Sequence, residues 1–159
     1  MNDTNSLEPV TAAAVYRAYN GGYFKTLVSP EQTGGSFALL EMVLPQGAEP
    51  PAHLHEKEDE TFYVLDGTVS FRIGSKTYIA GPGETIFAPR LIAHEFRITS
   101  SQLHFITLLT PGSFWDYFME FSTAADAVPV VKAPTELPPA DFLMHLINRL
   151  NSQYGVKLV

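Results

Sequence analysis

Cysteine is absent from this chain. Disulfides and thiolate ligands are both excluded, so burial and backbone hydrogen bonds must hold the fold, and any metal must sit on nitrogen and oxygen. Cations are also scarce: 10 Lys and Arg stand against 17 Asp and Glu, a formal charge of −7, and the basic residues are scattered. That balance argues against a phosphate-backbone partner, and no nucleic-acid role is expected. No apolar run approaches bilayer length, and Met1–Leu7 is polar, with neither a basic leader nor an apolar stretch of signal-peptide length. The expectation is a soluble, cytoplasmic protein with no membrane partner. Internal repeats and low-complexity tracts are missing too. What is present is 159 residues, 45% of them hydrophobic, enough for one domain over 1–159 with a continuous core.

The first two thirds carry short apolar segments punctuated by Gly and Pro, the pattern of an all-β sandwich or barrel. Phe37–Leu44 is apolar apart from Glu41; with Glu41 toward solvent, Ala38, Leu40, Met42 and Leu44 share the buried face of a wall strand. Thr61–Leu65, the dipeptide Asp66-Gly67 and then Thr68–Ile73 read as one hairpin, and Gly74-Ser75-Lys76 turns into Thr77–Ala80 as a second. Glu84–Ala88, His94–Thr99 and Gln102–Thr110 supply further strands, as a jelly-roll barrel needs. The barrel core is expected over about 12–110, with a helical extension over about 113–155.

In that extension Ser113 stands three residues before Asp116 at the head of an apolar-rich segment, which predicts a short helix with a hydroxyl cap. Pro129, Pro134, Pro138 and Pro139 make 123–139 an extended connector over the surface. From Asp141, Phe142, Leu146, Leu150 and Tyr154 recur at four-residue steps, widened by Leu143 and Ile147, with Gly155 as the stop. This predicts an amphipathic C-terminal helix.

Metal chemistry enters with the histidines. A strand sends alternate side chains to one face, so His53 and His55 point together and Leu54 points away. Glu60 shares a face with Phe62 and Val64, and a turn through Glu56–Asp59 would return its strand beside the first, joining one carboxylate to two imidazoles. His94 lies far down the chain. These donors suit one divalent first-row ion, Fe, Mn, Co, Ni, Cu or Zn. Glu56 and Glu58 read as a solvated acidic loop. His104 and His145 read as structural or exposed side chains.

The spacing resembles the cupin superfamily. Gly47, five residues, His53-Leu54-His55, four residues, Glu60, six residues and Gly67 reproduce the first cupin motif without a gap. After fifteen residues Gly83, then Pro89 and His94, resemble the second. The sequence departs at Leu91, where the family usually has glycine, and at Ile98, where it often has asparagine; the turn before His94 is expected to differ in shape. Overall the chain is similar to small cupins related to quercetin-dioxygenase-like proteins. The resemblance implies a double-stranded β-helix with His53, His55, Glu60 and His94 as ligands around one metal.

Leu40, Met42, Phe62 and Phe96 share the ligand faces and are the expected substrate wall. Phe114, Trp115, Phe118 and Phe121 on the short helix would close the mouth, with Phe118 counted among the substrate contacts. The leading expectation is a metal-dependent dioxygenase acting on a small aromatic or apolar oxygenated compound, with Glu60 also serving as base for a substrate hydroxyl. A metal-assisted isomerase, lyase or hydrolase and a non-catalytic ligand-binding cupin are the alternatives. A homodimer is expected through an exposed edge within Ala12–Val28.

Overall fold

Two-residue alternation of burial runs through the strands and decides the architecture. It is clearest in Gln102–Thr110, where Leu103, Phe105, Thr107 and Leu109 are buried and the residues between them are not. The computed structural model describes residues 15–159. In chain order the strands are β1 (Tyr16–Tyr19), β2 (Gly22–Val28), β3 (Ala38–Pro45), β4 (His53–His55), β5 (Asp59–Asp66), β6 (Val69–Ile73), β7 (Lys76–Ala80), β8 (Thr85–Ala88), β9 (His94–Ile98) and β10 (Gln102–Thr110). A 3₁₀ turn (Gly112–Phe114) leads into α1 (Trp115–Glu120), followed by β11 (Thr123–Ala125), α2 (Ala140–Arg149), a wide π turn (Leu150–Tyr154) and β12 (Val156–Leu158). No described helix is long and apolar enough to cross a membrane.

The strands form two antiparallel sheets, in the orders β11-β1-β2-β3-β10-β5-β8 and β12-β4-β9-β6-β7. They face each other as a jelly roll, as the strand pattern predicts. Between them sits an aromatic cluster of Phe62, Phe71, Phe96 and Phe105, with tilted rings whose centroids are 4.8 Å (Phe62–Phe71) and 5.3 Å (Phe71–Phe96) apart. Each such side chain contributes about 1.5–3 kcal/mol by burial.

The second predicted hairpin forms: Ile73 pairs with Lys76 across the β6–β7 turn. The first does not. β5 pairs with β10 and β8, whereas β6 pairs with β7 and β9, so Asp66-Gly67 is a corner carrying the chain from one sheet to the other. The reason is close approach. Gly67 has φ +89°, and a Cβ there would lie 2.4 Å from the Gln102 carbonyl oxygen, so the corner presses against the start of β10 in a way that only glycine permits.

Three elements fall outside the sequence expectations. β11 pairs with β1 within the proline-rich connector. β1 is therefore flanked by β11 and β2, and β2 by β3 and, over Gly22–Phe24, by β1; beyond Phe24 β2 has no β1 partner among the described residues, and Ala12–Ala14 of the segment expected to offer a dimer edge lie outside them. The predicted C-terminal helix ends at Arg149, and the wider turn that follows buries Leu150 and Tyr154 before Gly155, at φ +67°, reverses the chain. That reversal lays β12 along β4, with Val156 opposite His55 and Leu158 opposite His53.

Leu91 has φ +65°, the left-handed conformation for which glycine is suited. Leu91 is held in this conformation by its neighbours: Leu91 N donates to the His55 carbonyl at 2.7 Å, and Arg90 N and Nη2 both reach Asp59 at 2.8 Å. Leu91 is 63% exposed, so little burial offsets the strain. Leu91→Gly is expected to stabilise the fold by about 0.5–1 kcal/mol, since relief of left-handed strain exceeds the added entropy of the unfolded glycine. A denaturant midpoint that falls would contradict this.

Candidate metal centre

β4 sends His53 and His55 into the barrel and leaves Leu54 half-buried on the other face. β9 lies antiparallel to it with His94 directly opposite His53, and their ring centroids are 4.6 Å apart. Glu60 does not arrive from a strand beside β4, as the turn reading has it. β5 belongs to the facing sheet, between β10 and β8, with Glu60 opposite Leu109 and Ala88. The carboxylate therefore spans the barrel interior to reach the imidazoles. One ligand atom from each of His53, His55, Glu60 and His94 lies within 4.8 Å of the other three, and all four residues are buried.

The hydrogen bonds orient these rings. His53 Nδ1 lies 2.8 Å from the Pro51 carbonyl oxygen and His94 Nδ1 lies 3.1 Å from that of Ile92. A carbonyl only accepts, so both Nδ1 atoms carry hydrogen and both Nε2 lone pairs are available in the neutral rings. Glu60 Oε2 lies 3.1 Å from His94 Nε2 and 3.4 Å from His55 Nε2. His55 Nε2 is buried without a hydrogen-bond partner. Nitrogens gathered about a carboxylate oxygen in this way are a donor set for a shared cation, and with no sulfur present a first-row divalent metal suits it.

Burial and charge pull these groups in different directions. Burial drives the His53 imidazole down to about 4, aided by His94 and His55 and opposed by Glu60. For Glu60 burial acts upward, but the facing imidazoles of His55, His94 and His53 outweigh it and hold the carboxyl at about 2. His55 is lowered by burial yet raised overall by Glu60 and Glu58.

The cluster borders a cavity of about 270 Å³ whose walls are mainly apolar. Met42, Phe62 and Phe96 line it, as their strand faces predict, and so does Phe118. Leu40 does not; it is fully buried elsewhere in the core. From the short helix Phe114 reaches the cavity with its ring 4.5 Å from that of His55. Trp115 instead donates from Nε1 to Thr26 Oγ1 at 2.9 Å, and Phe121 packs against Tyr117 with a tilted ring and edge-on against Phe142. His104 lies away from the centre, 2.8 Å from Glu41, and His145 is exposed near Glu120.

Sequence reasoning missed Tyr19 and Tyr117, whose hydroxyls meet at 3.2 Å on the cavity wall; neither belongs to the motif region. It also missed how far the C-terminal segment contributes, since Leu143, Leu146, Ile147, Leu150 and Val156 all face the cavity. Their four-residue stripe was legible, but not the wall they complete. Glu58 was expected in solvent and is 1% exposed. Ser113, expected to cap α1, makes no cap bond and donates to Glu58 instead.

Comparison with known proteins agrees with this geometry. The cupin domain family matches residues 40–109, which contain all four clustered side chains. Quercetin 2,3-dioxygenase of Bacillus subtilis (strain 168) is 27% identical over 94 residues, covering 59% of this chain and 28% of that protein; the chain thus spans less than a third of its relative's length. Among solved structures, KdgF from Halomonas sp. superposes with a TM-score of 0.54 at 19% identity, covering 62% of this chain and 86% of that one. A predicted oxalate decarboxylase from Thermotoga maritima gives 0.53 at 24% identity, covering 62% and 92%.

Proposed function

Because residues 40–109 form a cupin domain, we propose that the protein is a metal-dependent dioxygenase acting on a small aromatic or otherwise apolar oxygenated compound. The observation that carries this reading is the placement of three imidazoles and one carboxylate against an apolar, aromatic cavity. The similarity to a quercetin 2,3-dioxygenase supports it. His53, His55, Glu60 and His94 would hold one divalent first-row ion, of Fe, Mn, Ni, Co, Cu or Zn. When bound, the ion supplies Lewis acidity and, where redox-active, electron transfer toward dioxygen.

The chain's own residues supply the rest. Phe62, Phe96, Phe105 and Phe118 offer ring faces and edges to an aromatic substrate and exclude water from around it. The Tyr19–Tyr117 hydroxyl pair uses one of its two protons internally, which leaves the other to donate to a substrate oxygen. Glu60 is ionised at neutral pH and would accept a substrate hydroxyl proton on a carboxylate oxygen. Its low pKa reflects the facing imidazoles of His55, His94 and His53, which outweigh its burial.

Metal analysis of the purified protein, combined with oxygen-electrode measurements against flavonols, catechols and diketones, tests the proposal. About one ion per chain, with oxygen uptake matching substrate loss, is expected. Turnover without oxygen uptake would replace the dioxygenase with an isomerase, lyase or hydrolase. Tight binding with no turnover would leave a ligand-binding cupin.

A further inference from the structure

Glu58 is a buried carboxylate that the proposed chemistry leaves unused. It sits in the crossover between β4 and β5, 1% exposed. Its Oε1 accepts a hydrogen bond from Ser113 Oγ at 2.5 Å. Its Oε2 lies 3.5 Å from His55 Nδ1, at the outer limit of hydrogen bonding, and has no other partner.

The three histidines of the cluster face the same requirement. Each must keep hydrogen on Nδ1 for its Nε2 lone pair to face inward. His53 and His94 meet it with the carbonyls two residues before them, Pro51 and Ile92. His55 has no such carbonyl bond; its Nδ1 is buried and unsatisfied, and the group facing it is Glu58. A small rotation of the ring or carboxylate closes that distance.

We propose that Glu58 is a positioning residue, accepting the Nδ1 proton of His55 so that Nε2 faces the cation site, while Ser113 anchors the carboxylate from behind. The inference rests on the reading of the cluster as a metal centre. An anionic acceptor also makes His55 a stronger donor than its two carbonyl-backed partners. In this arrangement α1, which follows Ser113, is tied to the geometry of the ligands as well as to the cavity wall.

The test is Co²⁺ affinity, by competition with a chromophoric chelator, together with the visible spectrum of the Co²⁺ protein and the melting midpoint of the metal-free protein. Glu58→Gln keeps the shape and an acceptor for Ser113 but removes the charge. Its Kd is expected to rise about 10–100-fold with a shifted Co²⁺ spectrum, and Ser113→Ala by a few-fold. His104→Gln, outside the centre, should leave both readouts unchanged. Wild-type Kd and spectrum in both Glu58→Gln and Ser113→Ala would reduce Glu58 to an anchor for the crossover and overturn the proposal. If Glu58→Gln does not fold, Ser113→Ala decides it. No Co²⁺ binding by the unsubstituted protein would instead overturn the metal centre itself.

Discussion

A His53→Ala, His94→Ala double variant is expected to lose its metal on dialysis, while the unsubstituted protein keeps about one ion per chain. Apparent zinc-binding energies of about 10–16 kcal/mol over four ligands put each ligand near 3 kcal/mol, so two should weaken binding roughly 10⁴-fold. These two histidines are directly opposed across β4 and β9, so removing both eliminates half of the donor set at one place. The aromatic core of Phe62, Phe71, Phe96 and Phe105 is untouched, and far-ultraviolet circular dichroism should report a retained β-fold. Glu60 loses its 3.1 Å partner His94, so some loss of thermal stability is expected. A double variant that holds a full equivalent of metal after dialysis would end the assignment.

The second large effect is acid destabilisation of the metal-free protein. His53 has a folded pKa of about 4 against an ordinary 6.5, so between those values the unfolded chain binds a proton that the folded one refuses. Its contribution is therefore present above about pH 6.5 and lost as pH falls toward 4, an effect of up to about 3 kcal/mol. Glu60, held at about 2 against 4.5, acts in the same direction further down: its contribution is present above pH 4.5 and lost as pH falls toward 2. His55 opposes them, because its raised value contributes stability below about pH 6.5 that is lost as pH rises through the folded pKa. Urea midpoints of chelator-treated protein should fall from pH 7 to pH 4, and His53→Gln should flatten the upper part of that decline. A midpoint that is constant or rises on acidification would show that His53 is not buried neutral. With metal present the fall should be steeper, since protons then compete with the ion for the same imidazoles.

Much of the site was legible because it depends on local parity. His53 and His55 had to share a face if they lay on a strand, and Glu60 had to share one with Phe62 and Val64; the structure has both. The amphipathic stripe from Phe142 to Leu150 was equally readable. Parity does not specify which strands are neighbours. Asp66-Gly67 has the composition of a hairpin turn, yet it is a corner between sheets, because Gly67 packs against the Gln102 carbonyl, a contact 35 positions away in the chain. Glu58 looked like one more acid in a charged loop, and it is buried because the crossover from β4 to β5 passes beneath Ser113.

The alternation of side chains by itself determined an all-β pattern in which His53 and His55 share one face and Glu60 another with Phe62 and Val64, since side-chain direction on a strand follows from neighbouring residues alone; that these donors and His94 gather inside a barrel was implied by the resemblance to cupins. Tertiary structure decided that Glu60 crosses from the opposite sheet, that Tyr19 meets Tyr117, that β12 closes the outer side of β4, and that Glu58 stands behind His55. Those facts depend on contacts between distant segments, whose pairing is selected by the packing of the whole core and by no local pattern.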